Sequence, residues 1–313
     1  MGHSWEKFGF EGGGMIGLTF AAIGFLIAYF AGVAIVNRGI KNRETTLIKG
    51  SESINNDIRT GVVKENKPEV AGWLTLSPEA IEPMAFQLGL ISIVYAMTYG
   101  LIYFVTKLMT TYGLKDFVDT IWSFHFVIAL LIALLVRKFL DITKKSYVID
   151  NGLMNRISGV AVDFLVPGSI VAINILIVGK YWLPITLISF LAGIATYFVI
   201  RYTSRRAFDD FYFERMVGIY GEMTGTINSG LVLIRITDPE FQTPSAEDLA
   251  LGGGLALFLG FPLLILLNAP MNFWHNSLGG YWLTLALMLV YLVILWVVWR
   301  LVGYIHFKLP ESK

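Results

Sequence analysis

Residues 12 to 36 contain no charged side chain, and further apolar segments recur at about 84–109, 117–136, 157–178, 182–200, 249–267 and 281–302. A helix needs about 20 apolar residues to cross a hydrocarbon layer about 30 Å thick. Lipid tolerates only backbone whose polar groups are paired internally, so long apolar segments of this kind read as spanning helices. The chain is therefore expected to be an all-α integral membrane protein with about seven transmembrane helices. Composition agrees: charged residues make up 15% of the chain, against about 25% in ordinary soluble domains. A net charge of +1 gives no basic footprint for nucleic acid. The absence of cysteine excludes disulfides, thiolate catalysis and Cys-ligated metals, and four scattered histidines offer no dedicated metal site. Met1 to Gly14 lacks a basic region ahead of an apolar core, so no secretory signal is read there, and the segment reads like the middle of something.

One stretch does not fit a plain crossing. Residues 216 to 236 contain Gly218, Gly221, Gly225 and Gly230 together with Glu222, Thr224, Thr226, Asn228 and Ser229. Each glycine costs a helix interior about 1 kcal/mol relative to alanine, and a buried glutamate adds roughly 2.5–3.5 kcal/mol on insertion scales. The apolar flanks, Met216 to Tyr220 and Leu231 to Ile234, are each too short to span. The expected solution is a re-entrant hairpin that dips in, turns at its polar centre and returns, its open backbone lining a protein-walled or watery cavity. An extramembrane loop is the simpler alternative.

Basic residues discriminate between a stretch that crosses and one that does not. With a non-crossing hairpin, the loops after the first, third, fifth and seventh segments lie on one side and hold most of the Lys and Arg, Arg38 to Lys67, Arg137 to Arg156 and Arg201 to Arg215 among them. The opposite side holds Lys7, Lys107, Lys115 and Lys180. The positive-inside rule then makes the linker and the C-terminus cytoplasmic, with Tyr181, Trp182, Trp274, Tyr281 and Trp282 at the outer interface.

The first and sixth segments share a Gly-rich opening, Gly12-Gly13-Gly14 with Gly24-Phe25 and Gly252-Gly253-Gly254 with Gly260-Phe261. Five crossings between them place the two in opposite orientations, as an inverted repeat requires. Four regions follow: 1–37, the last helix of a first repeat; 38–83, a cytoplasmic linker; 84–268, a complete second repeat with the hairpin at 216–236; and 269–313, an additional helix and tail.

At Gly221-x-x-Thr224-Gly225-Thr226, Ser229-Gly230, the Gly-rich segment after them, Asn151-Gly152 and Gly2-His3-Ser4-x-x-Lys7-Phe8, the chain resembles the bacterial sodium/glutamate symporter family. The resemblance covers nearly the whole chain and looks like the C-terminal two thirds of a member, without the first four helices and the core of the first pore loop. It implies a 5+5 inverted-repeat, elevator-type fold, sodium-coupled uptake of L-glutamate across the bacterial inner membrane, no cofactor beyond Na⁺ as coupling ion, and a homodimer.

Candidate site residues follow from chemistry. Hydroxyls and carbonyls at Thr224, Thr226, Asn228 and Ser229 are hard oxygen donors for Na⁺, and amides around Gly225 and Gly230, with Gly221 beside them, would receive a substrate carboxylate. Asp163, Ser169 and Asn174 form the polar side of the fourth segment, with Asp163 either facing the cavity as an ion ligand or snorkelling to the interface. Glu222 would bind a cation or sit at the mouth. Arg235 would pair a distal carboxylate or lie on the surface. His125 reads as a packed or hydrogen-bonded core residue. A carrier of another organic anion, such as a dicarboxylate, driven by sodium or protons, or an inactive truncated fragment, stays open as an alternative. No H-E-x-x-H, G-x-S-x-G or paired-Asp motif supports an enzyme.

Overall fold

The computed structural model describes residues 5–6, 9–48, 72–112, 118–171, 175–239, 241–274 and 276–304, and every long element among them is helical. The helices are α1 (Gly13–Lys41), α2 (Pro83–Thr111), α3 (Val118–Ser123), α4 (His125–Ile142), α5 (Asn151–Val171), α6 (Ile175–Lys180), α7 (Trp182–Ala207), α8 (Tyr212–Thr224), α9 (Ile227–Thr237), α10 (Ser245–Asn272) and α11 (Leu278–Val302). Five of these are long and apolar enough to cross a membrane: α1, α2, α7, α10 and α11. Their apolar side chains are largely exposed, and in α11 only Gly280 and Thr284 are buried. Such a surface needs a non-aqueous solvent, so the chain is a multi-pass membrane protein.

Two of the other expected segments differ in outline from their sequence reading. The segment at 117–136 is divided at Phe124 into α3 and α4, and α4 carries Arg137, Lys138 and Asp141 in its last two turns. His125 opens α4 as an exposed residue with Nδ1 2.9 Å from the Trp122 carbonyl oxygen, so it is hydrogen-bonded at the break and not in a core. The segment at 157–178 begins six residues earlier than expected, as α5, and is helical again over α6, with residues 172–174 outside the described residues. Asp150 explains the early start. Its Oδ1 accepts the Leu153 amide at 2.7 Å, as a helix N-cap does, while Oδ2 accepts the Trp73 amide at 3.1 Å. Hydrophobic periodicity is blind to both a one-residue interruption and a polar cap ahead of the apolar run.

The chain divides into two compact units, one formed chiefly by Glu65–Leu165 and the other by Phe8–Lys64 with Val166–Lys313. In the first, α2 packs on α4. Glu82 caps α2 by accepting the Ala85 amide at 2.6 Å, with Pro83 in the first turn, where its missing N–H costs nothing. Thr98 and Thr106 return their hydroxyl protons to carbonyls one turn back, which satisfies them inside an apolar helix. Thr75 Oγ1 and Gln87 Nε2 both donate to the Val148 carbonyl and hold 72–75 against the 3₁₀ turn at Ser146–Val148.

The second unit is built around α8 and α9, which pack on each other and on α1 and α10, with α7 against α8. Its core contains Val36 and Ile40 of α1, Ile200 of α7, Phe213, Met216, Val217 and Tyr220 of α8, and Leu233 of α9. Leaving α9, the chain turns on Asp238, which is fully buried and accepts the amides of Gln242 (2.8 Å) and Thr243 (2.7 Å) and the Thr243 hydroxyl (2.6 Å). Asp238→Ala leaves these donors without their acceptor in a closed site. It is expected to cost about 3 kcal/mol or more, read as a fall in the thermal unfolding midpoint in detergent.

Candidate functional site

The residues 216 to 236 form a helical hairpin, as two half-length helices in place of one span. Helix α8 stops at Thr224 and α9 starts at Ile227, with Gly225 and Thr226 between them in non-helical backbone. The two helices are antiparallel and very close. A Cβ on Gly221 would lie 2.7 Å from Gly230 Cα, and one on Gly218 would meet Ile234. A Cβ on Gly230 would collide with the Gly218 carbonyl and approach Leu249 of α10 at 2.8 Å. Gly221 and Gly230 are thus the contact surface of the hairpin.

That assignment revises the expected anion site. The Gly225 amide donates to the Gly221 carbonyl at 2.9 Å and the Gly230 amide to the Thr226 carbonyl at 3.1 Å. Both are already used inside the helices and are not open to a carboxylate. The sequence cannot display this, because a glycine permits an exposed amide and a close helix contact equally well. The amides without an acceptor in their own helix belong to the first turn of α9.

Helix α1 closes the turn from one side. A Cβ on Gly24 would sit 2.5 Å from the Thr224 carbonyl oxygen, and one on Gly225 would lie 3.2 Å from Ala28 Cβ and 2.7 Å from Ser229 Oγ. Farther along, Gly32 accommodates Leu233, and Gly39 accommodates the Phe213 ring. Residues four apart advance about 40° around a regular helix. The π turn at Ile27–Ala31 interrupts that drift and keeps Gly24, Ala28 and Gly32 on the hairpin face.

At this junction two hydroxyls have nothing to bond. Ser229 is fully buried, Thr226 is half-buried, and Thr226 Oγ1 and Ser229 Oγ are shielded from solvent with no hydrogen-bond partner among the described residues. Thr226 is the N-cap residue of α9 yet makes no capping bond. Thr224 differs, since its hydroxyl donates to the Tyr220 carbonyl at 2.7 Å and only its oxygen lone pairs are left. Asn228, half-buried in the same turn, also has an interaction partner. The structure therefore gathers Thr224, Gly225, Thr226, Asn228 and Ser229 at one junction. Two orphan oxygens, the last carbonyls of α8 and the first amides of α9 converge there. Helix-dipole partial charges make the α8 end attractive to a cation and the α9 end attractive to an anion.

The other expected residues lie elsewhere. Glu222, three residues before the turn, leans on α10, where Gly253 leaves room for its carboxylate. Arg235 is exposed at the far end of α9, 5.2 Å above the Phe241 ring, on the surface and away from the turn. Asp163 is exposed on α5 in the first unit. Ser169 belongs to the helical backbone of α5. Asn174, the Gly2-His3-Ser4 and Lys7-Phe8 motif residues, and the linker from 49 to 71 lie outside the described residues.

Sequence reasoning missed the base of the hairpin. Glu44, just past α1, accepts from Arg201 (3.1 and 3.2 Å) and from the Tyr212 hydroxyl (2.9 Å), and Arg205 approaches it at 3.5 Å. Beside it, fully buried Glu214 accepts the Thr46 amide at 2.7 Å. Arg215 bonds Asp210 and Asp248, tying the start of α8 to the start of α10. These partners are far apart in the chain, and no local pattern links them.

The two glutamates, both outside the long apolar helices, titrate in opposite directions. Burial alone would raise the Glu44 carboxyl, but the bonds from Tyr212 and Arg201 outweigh it and hold the group below its ordinary value. Burial dominates at Glu214 and pushes it up against the bonds from Thr46. A lowered folded value gives stability that is present above the unfolded pKa of about 4.3 and is lost as pH falls through the folded value. A raised one gives stability that is present below about 4.3 and lost as pH rises through the folded value. Accordingly, Glu44→Gln is expected to destabilise near pH 7 by about 2 kcal/mol. Glu214→Gln is expected to hold or raise stability near pH 7 and to flatten the loss between acid and neutral pH. Thermal unfolding from pH 4 to 8 checks both signs.

No family model, no curated protein and no solved structure matches this chain.

Proposed function

We propose that the protein is a sodium-coupled symporter of L-glutamate or a closely related acidic amino acid, working by an elevator-type movement in the bacterial inner membrane as a homodimer, with its C-terminus cytoplasmic. The observation that carries this reading is the α8–α9 junction, where two buried hydroxyls lack partners at a break between half-helices inside an apolar helical unit. Broken helices of this kind serve secondary carriers by giving carbonyls and hydroxyls to a cation and a half-helix N-terminus to an anionic group. In the proposed cycle, Na⁺ takes Thr226 Oγ1, Ser229 Oγ and the terminal carbonyls of α8. The substrate carboxylate takes the first turn of α9, and the hairpin enters and leaves the bilayer from one face. Coupling follows from adjacency, because each ligand stabilises the turn that the other needs.

Uptake of labelled glutamate into proteoliposomes, beside aspartate and α-ketoglutarate, tests the proposal. A sodium gradient is expected to drive accumulation of glutamate. Accumulation driven by a proton gradient, or restricted to α-ketoglutarate, would replace it with a carrier of another organic anion.

A further inference from the structure

A groove of about 620 Å³ runs between α1 and α7 beside Tyr220 of the hairpin, and its lining is apolar apart from Tyr197 and Tyr220. Its α7 wall is a helical stripe, Phe190, Gly193, Ile194, Tyr197 and Phe198. Continued at the same spacing, that stripe becomes Arg201 and Arg205. The α1 wall runs from Leu26 to Ile35, about 13 Å of helix, and one turn later reaches the exposed Arg38. The polar end of the groove is joined directly to this cationic layer, since Arg201 Nη1 donates to the Tyr197 hydroxyl oxygen at 2.9 Å. Glu44 is the acid bonded into the layer and is shared by Arg201 and Arg205. Arg201 and Arg205 share the single Glu44 carboxylate, and with the exposed Arg38 one turn past the α1 wall these residues leave a surplus of positive charge at that end of an apolar slot.

We infer that this groove holds one acyl chain of an anionic phospholipid, with the lipid phosphate resting on the Arg38, Arg201 and Arg205 layer. The apolar walls exclude a polar solute, the length suits part of an acyl chain, and the surplus charge selects an anionic headgroup over a zwitterionic one. Arg205, with a side chain 38% exposed, is the guanidinium on α7 best placed to turn toward a phosphate while Arg201 keeps Glu44. The bound lipid would brace α1 against α7 beside the hairpin. The inference rests on the membrane assignment alone and not on the transported substrate.

Native mass spectrometry of the purified full chain, given dioleoyl phosphatidylglycerol and dioleoyl phosphatidylcholine in equal amounts, tests it. At least about tenfold preferential retention of phosphatidylglycerol is expected. Arg38→Gln with Arg205→Gln is expected to bring the ratio near one without removing lipid. Ile194→Trp, which fills the groove from α7, is expected to lower retention of both lipids, and Phe30→Ala, which opens its rim, serves if that variant does not fold. Glycerol phosphate, the headgroup without chains, is expected not to compete. Equal retention of the two lipids, an unchanged ratio in the double arginine variant, or displacement by glycerol phosphate would each overturn the proposal. So would a dimer whose second copy protects Phe30 and Ile194 from a membrane-soluble label.

Discussion

Gly230→Val is expected to unfold the hairpin and, with it, abolish the proposed uptake. A side chain there meets the Gly218 carbonyl, which is backbone and cannot rotate away, and also Leu249 across the contact with α10. Overpacking ordinarily costs 1–3 kcal/mol, and a collision with backbone at the centre of a helix pair falls at or above the top of that range. A loss of about 3 kcal/mol or more in thermal unfolding is the expected measurement. Gly252→Ala and Gly254→Ala supply the contrast. Nothing lies within 4 Å of a Cβ at either position, so the higher helix propensity of alanine should leave stability unchanged or raise it by up to about 1 kcal/mol. If Gly230→Val unfolds like the parent protein, the close antiparallel contact is not what holds the second unit together.

Under the proposed sodium coupling, Ser229→Ala and Thr226→Val are expected to do the reverse, sparing the fold and damaging the coupling. Neither hydroxyl has a hydrogen-bond partner among the described residues, so removing it breaks no bond and relieves a buried polar atom. Stability should change by less than about 0.5 kcal/mol, or rise. Each oxygen offered to a cation is worth roughly 1.5–3 kcal/mol when the partner is charged, so the apparent sodium affinity should fall about 10- to 100-fold for each variant. Sodium titrations of uptake, paired with thermal unfolding of the same preparations, separate the two effects. Unaltered sodium dependence in both variants would remove the ion site from the junction. A stability loss above about 2 kcal/mol would make the hydroxyls structural.

Gly230→Val and the two hydroxyl variants probe different physics in one hairpin, and the difference bears on how the site was read. From the sequence, Gly221, Gly225 and Gly230 looked alike, as residues suited to an anion-binding turn. In the fold, Gly221 and Gly230 are spent on helix contact, and their neighbours Thr226 and Ser229 are the groups left unsatisfied. Nothing in the spacing distinguishes a glycine that lets two helices touch from one that bares an amide. The distinction depends on what lies across the gap. For Arg235 the sequence left a substrate contact and a surface position both open, and the length of α9 carries it to the surface at the end away from the turn.

Membrane residence and the hairpin break were legible in the chain alone, because apolar length and the clash of glycine and Glu222 with a plain span are local properties summed along the sequence. Which glycines of the first helix meet the hairpin was not: Gly24 and Gly32 do, while Gly17 faces open space. The π turn that aligns those glycines, the Glu44 hub with Arg201 and Tyr212, and the buried Glu214 and Asp238 were decided only by tertiary structure. Each depends on a partner or a register that residues far away impose. Local energies fix where a helix must stop, whereas the polar groups left without a partner are known only once all the others have found theirs.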